Sequence, residues 1–289
     1  MSQRPNPFTA VAEHVYTCEL DFEDAEAGAT GSVTVGLVVG TERALLVDSG
    51  ATPEQGRLLR QAAAEVAERP VEARDSLAVV LTHWHLDHTF GLAGVDATVA
   101  VAHESVRARL AGPKAAAEAA RWGIDPAEVA LPTRDLAVAW TIDLGGGVRV
   151  EAVHLGRGHT EGDLLVVVPG SDVVFAGDLI ESAGPPSYGP DSFPHEWPST
   201  LDGLVGLMTD ATLAVPGHGA PVKREFVLEQ LGRVAAVSGE ISRLAGLGVD
   251  PGDAEERADW AFPFACIRPG LAAGFAQARG SGRRSLPLA

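Results

Sequence analysis

The chain is short of cysteine, of positive charge and of long apolar runs, and each shortage removes a class of protein. Cys18 and Cys266 are the only cysteines among 289 residues. Two cannot build a disulfide framework, and neither belongs to a C-x-x-C pair; a bridge between them is unforced, and two buried thiols are expected. Basic residues number 22 against 39 acidic ones, a net charge of −17. A surface so negative repels phosphates, so a nucleic-acid partner is not expected. No apolar run approaches membrane-spanning length, and the opening Met1-Ser2-Gln3-Arg4-Pro5-Asn6-Pro7 lacks the apolar core of a signal peptide. No membrane partner and a cytoplasmic location are the resulting expectations. There is no Gly-x-Ser-x-Gly elbow to supply a serine nucleophile. Without an internal repeat or a low-complexity linker, residues 1–289 are expected to form a single domain. Its core would span about 12–225, with a C-terminal helix and tail over 223–289.

What is present is an ordinary globular composition, 46% hydrophobic and 21% charged, on a chain long enough to bury a sizeable core. After an irregular arm over 1–10, strands are expected at 14–18, 32–39, 44–47, 77–81 and 98–102. Further strands are expected at 148–153, 164–168, 173–176 and 212–215. Pro53 opens a helix to about residue 69, residues 103–122 read as helix broken at Gly112-Pro113, and Ser199 can cap a helix over about 200–209. A long helix from about 223 to 247 precedes a less regular tail. The segment 123–140 reads as a loosely structured excursion, because Pro126 and Pro132 interrupt it.

The chemistry concentrates in His83-Trp84-His85-Leu86-Asp87-His88, directly after the apolar run Leu77-Ala78-Val79-Val80-Leu81. Alternate residues leaving a strand share a face, so His83 and His85 can aim at one point while Asp87 and His88 serve a second. Imidazole and carboxylate suit zinc and first-row metals generally. The pattern recurs: His159, Asp178 and His218 each follow another apolar strand, beside glycines that permit tight turns. Sites gather at the carboxyl ends of strands because loops converge there while the sheet holds them rigid. His14, His103, His154 and His195 lack that setting and are expected to be structural or surface residues, with His14 and His195 the two that a folding loop could bring to the site.

His-x-His-x-Asp-His followed by Gly-x-Gly-His-Thr, Gly-Asp and Pro-Gly-His-Gly resembles the metallo-β-lactamase-fold hydrolases, over about residues 12–225. The resemblance implies an α/β architecture, a four-layer αββα sandwich, with a dinuclear site along one edge. It implies that His83, His85 and His159 hold one metal, that Asp87, His88 and His218 hold the other, and that Asp178 bridges them. Asp48, in Val47-Asp48-Ser49-Gly50, matches an early acidic motif that supports the site from outside. The best-known lactamase subclass carries cysteine where this chain has Asp178, which implies a position nearer the glyoxalase II and lactonase branches.

The expected function is that of a zinc-dependent hydrolase with two zinc ions per chain, iron or manganese being alternatives. A metal-bridging hydroxide would attack the carbonyl of a small ester, lactone, thioester or lactam, with Asp87 orienting it and shuttling its proton. Two other readings stand beside it: a mononuclear iron enzyme of the persulfide-dioxygenase type on the same fold, and a metal-binding protein without catalysis. The partner expected is a small-molecule substrate, and the oligomeric state is left open. Residues 183–198 carry five prolines and three aromatics, and Tyr188, Phe193 and Trp197 are candidates for lining the substrate pocket.

Overall fold

The computed structural model describes residues 5–23, 30–67 and 76–281. Two sheets face each other, with helices on both outer sides. The first has seven strands in sequential order: β1 (Thr9–Ala12), β2 (Val15–Glu23), β3 (Thr30–Val39), β4 (Ala44–Val47), β5 (Leu77–Val80), β6 (Val99–His103) and β7 (Arg134–Leu136). The second has six: β8 (Ala139–Asp143), β9 (Arg149–Val153), β10 (Leu165–Val168), β11 (Val173–Gly177), β12 (Leu213–Pro216) and β13 (Val222–Lys223). Its order is β13-β12-β11-β10-β9-β8.

Side-chain alternation builds the layers. Leu45 and Val47 of β4, with Ala78 and Val80 of β5, pack between the sheets against Val150, Val166 and Phe175. Their neighbours Ala44, Leu46, Leu77 and Val79 point the other way, onto Leu59, Ala62 and Ala63 of α1 (Pro53–Val66). These central strands are therefore apolar on both faces, as a parallel sheet covered on each side requires. Each fully buried aliphatic side chain contributes about 1.5–3 kcal/mol. On the far side a second outer core holds Val174, Ala176, Trp197, Leu201, Leu204, Val234, Val237 and Ile241. The helices between them are α2 (Leu86–Thr89), α3 (Leu92–Val95), α4 (Glu104–Leu110), α5 (Pro113–Arg121), α6 (Trp197–Leu207), α7 (Arg224–Gly246), α8 (Phe264–Ile267) and α9 (Leu271–Ser281).

Several local expectations change. The arm contributes a strand, β1, and the excursion over 123–140 contains β7 and opens β8. Strands of three to five residues at a sheet edge carry too few positions for a periodic signal, and pairing with β6 and β9 supplies what local sequence does not. The helix placed at 200–209 begins earlier, at Trp197, with Ser199 inside its first turn. Pro198 fits that turn because its missing N–H would have no intrahelical partner there. Helix α1 ends at Val66, and the stretch of its expected range beyond residue 67 lies outside the described residues. The tail is more helical than expected: Leu271 and Phe275 of α9 join the core around Trp197. Cys18 is buried and Cys266 half-buried, and the two are not bonded; burial pushes the Cys18 thiol up to about 12.

Candidate metal centre

Five loops at one edge of the sandwich converge, each following the end of a strand: β4 (Asp48), β5 (residues 83–88), β9 (His159), β11 (Asp178) and β12 (His218). His83, His85, His159 and Asp178 form one group of donor atoms mutually within 4.8 Å, and Asp87, His88 and His218 form another. Asp178 touches both: its Oδ2 lies 3.4 Å from His159 Nε2 and 3.3 Å from His218 Nε2, and its Oδ1 lies 3.2 Å from His88 Nε2. The structure thus gathers all seven residues singled out as ligands. His14 lies 44% exposed in the β1–β2 turn beside Glu13, and His195 bonds Ser238 on α7; neither is brought in.

The outer nitrogen of every one of the five imidazoles meets an oxygen. His83 Nδ1 faces Thr82 Oγ1 (3.1 Å), and that hydroxyl donates onward to Asp48 Oδ2 (2.8 Å). His88 Nδ1 meets Asp48 Oδ2 at 2.9 Å, and His159 Nδ1 meets Ser187 O at 3.1 Å. His218 Nδ1 contacts Ser32 O, and His85 Nε2 lies 3.3 Å from Asp191 Oδ2. Anchored this way, each ring can hold its N–H outside and, once neutral, present a lone pair inward, as metal-ligating histidines do. The inward atoms are crowded: His85 Nδ1 is 3.1 Å from His83 Nε2 and 2.9 Å from His159 Nε2. Two buried atoms here, His88 Nε2 and Asp178 Oδ1, have no hydrogen-bond partner. Lone pairs pressed together and orphaned buried atoms are costly unless a cation lies among them, so this donor set fits metal.

The backbone is shaped to the same end. Asp48 has φ +68°, a left-handed conformation unusual for a non-glycine residue, and its carboxylate also accepts from Thr82 N at 2.7 Å. A Cβ at Gly217 would fall 1.9 Å from Asp178 Oδ1 and 2.9 Å from His88 Cε1, so only glycine lets the His218 loop pass this close. A Cβ at Gly91 would meet Ser49 O at 1.8 Å, which fixes how tightly the chain turns after the histidine cluster.

Charge divides the two groups. Burial holds His83 well below the usual imidazole range and pulls His159 down to about 4. Burial opposes charge at His88 too, but the carboxylates of Asp87, Asp178 and Asp48 prevail and hold it well above. At His218, burial is likewise overcome by Asp178 and Asp87, which raise it to about 10. Asp178 itself is held well below the carboxylate range: burial opposes this, and His218, His88, His83 and His159 outweigh it.

Asp191 is the residue the sequence reading missed. It lies in the proline-rich segment, accepts from Trp84 Nε1 at 2.7 Å and faces His85 Nε2. Burial notwithstanding, the His85 hydrogen bond and charge, with Lys114 and Trp84, hold its carboxyl well below the usual range. No spacing marks it, because it stands 106 residues from its imidazole partner. Asp191→Ala is expected to weaken metal binding at the His83/His85/His159 group by roughly 10- to 100-fold. The second group should change little; competition titration with a chromophoric chelator reads both.

The aromatic candidates in that segment part company. Tyr188 and Trp197 have no accessible surface; their rings pack 4.9 Å apart, and Trp197 Nε1 donates to Leu179 O. They pin the segment to the core and offer substrate no surface, which corrects the expectation for both. Pro186 and Pro194 are buried with them. Phe193 is half-buried, with the Arg157 guanidinium 4.3 Å over its ring.

A two-sheet αββα protein carrying a histidine–aspartate metal-type cluster on one edge is the class that fold and site define. The sequence model of the metallo-beta-lactamase superfamily matches residues 28–218, and the chain belongs to that superfamily. The metallo-beta-lactamase type 2 of Bacillus cereus is 28% identical over 200 residues, covering 68% of this chain and 71% of that protein. The type 2 enzyme of Bacillus sp. (strain 170) is 26% identical over 199 residues, covering 68% and 70%. Among solved structures, the metallo-beta-lactamase from Pontibacter korlensis superposes with a TM-score of 0.62 at 22% identity, covering 79% of this chain and 98% of that one. FIM-1 from Pseudomonas aeruginosa, in its mono-zinc form, gives 0.60 at 20% identity, covering 79% and 94%.

Proposed function

We propose that the protein is a dinuclear zinc hydrolase of small esters, lactones, thioesters or lactams. The observation that carries this is the pair of donor groups sharing Asp178, with all five outer imidazole nitrogens anchored. His83, His85 and His159 would hold one cation and Asp87, His88 and His218 the other, with Asp178 between them. Bound zinc would supply Lewis acidity, activating water near neutral pH and polarising the carbonyl. The chain's own residues do the rest. Asp48 and Thr82 fix His83 and His88, while Asp191 fixes His85. Asp87 Oδ2 stands 3.5 Å from His88 Nε2 and 3.4 Å from His218 Nε2, placed to orient the attacking water and carry its proton to the leaving group. Phe193 is the remaining aromatic candidate for the pocket wall. Aspartate rather than cysteine at 178 supports a reading nearer the glyoxalase II and lactonase branches, and the names of the curated relatives keep lactams in the panel.

Elemental analysis of chelator-free protein, followed by chromogenic esters, thioesters, lactones and lactams, tests the proposal. Two zinc equivalents and turnover are expected. One tightly held iron with oxygen uptake would point instead to the dioxygenase reading. Full metal with no turnover would point to a metal-binding protein.

The two groups should also load with different pH dependence. Imidazole binds metal only when neutral. The carboxylates raise His218 to about 10 and His88 well above its usual value, so both are protonated at neutral pH in the metal-free protein. A cation entering there must displace about two protons, and its affinity falls as pH drops below about 10. His83 and His159 are already neutral, so their group should keep its cation further into the acid range. Titrations at pH 6, 7 and 8 should show the second equivalent lost first. Loss of both together would contradict this.

A further inference from the structure

Helix α7 buries a stripe made of Val227, Gln230, Val234, Val237, Ile241 and Leu244. All but Gln230 are aliphatic. A carboxamide in such a stripe gives up its hydration, which costs stability unless its polar atoms are bonded. Gln230 is 4% exposed, and its amide bonds the turn that follows Asp178. Its Oε1 accepts from Glu181 N and its Nε2 donates to Leu179 O, each at 3.0 Å. The two ends are not equally needed. Leu179 O accepts from Trp197 Nε1 as well, at 3.1 Å, whereas among the described residues Glu181 N has no second acceptor.

That turn joins two of the candidate ligands. It begins at Asp178, whose Oδ1 lies 3.2 Å from His88 Nε2 and whose Oδ2 lies 3.3 Å from His218 Nε2. It ends where Ser182 N and Ala183 N donate to His218 O, at 3.2 and 3.3 Å. The fit is close: Gly219 has φ +96°, and a Cβ there would fall 2.4 Å from Ser182 Oγ and 2.6 Å from Ala183 N. Gln230 therefore grips, from the helical layer, the middle of a turn with Asp178 at one end and the His218 backbone at the other. His83, His85 and His159 have their own anchors on Thr82, Asp191 and Ser187, none of them in this turn.

We propose that Gln230 is a positioning residue for the Asp87/His88/His218 group, holding Asp178 and His218 at the spacing a second cation needs. The inference rests on the dinuclear hydrolase reading, and its test is zinc affinity, which turnover does not enter. Gln230→Met keeps the side-chain length and removes both bonds. Competition titration with a chromophoric chelator should then show the second zinc bound roughly tenfold more weakly, the low end of what outer supports contribute, with the first unchanged. Gln230→Glu should restore it, because burial keeps that carboxyl neutral, able to accept from Glu181 N and donate to Leu179 O. Trp197→Phe is the control for stability alone: it removes the other donor to Leu179 O and lowers the melting temperature, but should leave second-zinc affinity as it is. Coupling between sites is reciprocal, so in the native protein the second zinc should slow amide exchange at Glu181 by about the same tenfold factor, relative to the amides of α7. That measurement decides the matter if Gln230→Met does not fold. Equal second-zinc affinity in Gln230→Met, an equal loss in Trp197→Phe, no restoration by Gln230→Glu, or unchanged exchange at Glu181 would each overturn the inference, as would uptake of a single zinc by the native protein. Selective loss of the second zinc without hydrolysis of any substrate would leave this inference standing and sink the hydrolase reading. Hydrolysis with two zinc ions and no effect of Gln230→Met would do the reverse.

Discussion

Asp178→Ala is expected to lower metal content from about two equivalents to one or fewer and to cut turnover by more than the roughly 100-fold typical of outer supporting residues. The reason is geometric. One carboxylate lies within 3.2–3.4 Å of His88, His159 and His218, so its loss removes a donor from both groups at once. It also removes the anion that offsets several buried imidazoles, and without it His218 and His88 lose a main cause of their raised protonation. Asp178→Cys should retain more metal, because thiolate is a good zinc ligand, while changing the rate. Inductively coupled plasma analysis and single-turnover kinetics on the same samples check both variants. Full stoichiometry with full activity in Asp178→Ala would show that the carboxylate spans the groups without serving them.

Trp197→Ala should produce the largest loss of stability of any change in the 183–198 segment. The side chain has no accessible surface, and truncating a buried tryptophan costs about 3–5 kcal/mol. It touches the Tyr188 ring on one side and the His159 ring, 5.7 Å away, on the other. Leu179 O keeps its bond from Gln230 Nε2, so the lost indole hydrogen bond leaves no orphan acceptor, and the effect is dominated by the cavity. Denaturant titration should show the midpoint falling with the slope unchanged. Phe193→Ala, at a half-buried site, should cost about 1 kcal/mol and show itself in KM instead. A stable Trp197→Ala variant with altered substrate preference would restore tryptophan to the pocket wall.

The sequence by itself marked the seven candidate donor residues, and the order of the layers followed from the family resemblance those residues carry. Seven donor residues stand directly after apolar strands, and a strand long enough to show apolar periodicity announces both itself and where its loop must emerge. That is why His83, His85, Asp87, His88, His159, Asp178 and His218 could be read without coordinates. Edge strands β1 and β7 could not be read this way, because their few residues acquire strand geometry only by pairing. Asp191 was silent. It is an ordinary acidic residue in an irregular stretch, and it gains its place from a partner far along the chain, His85 across 106 residues. Tyr188 and Trp197 posed the opposite problem. Composition showed that large apolar surface was present near the site, but only packing decides whether such surface faces a substrate or the core. Here the core took both, because a segment stiffened by proline has no periodic face of its own to bury.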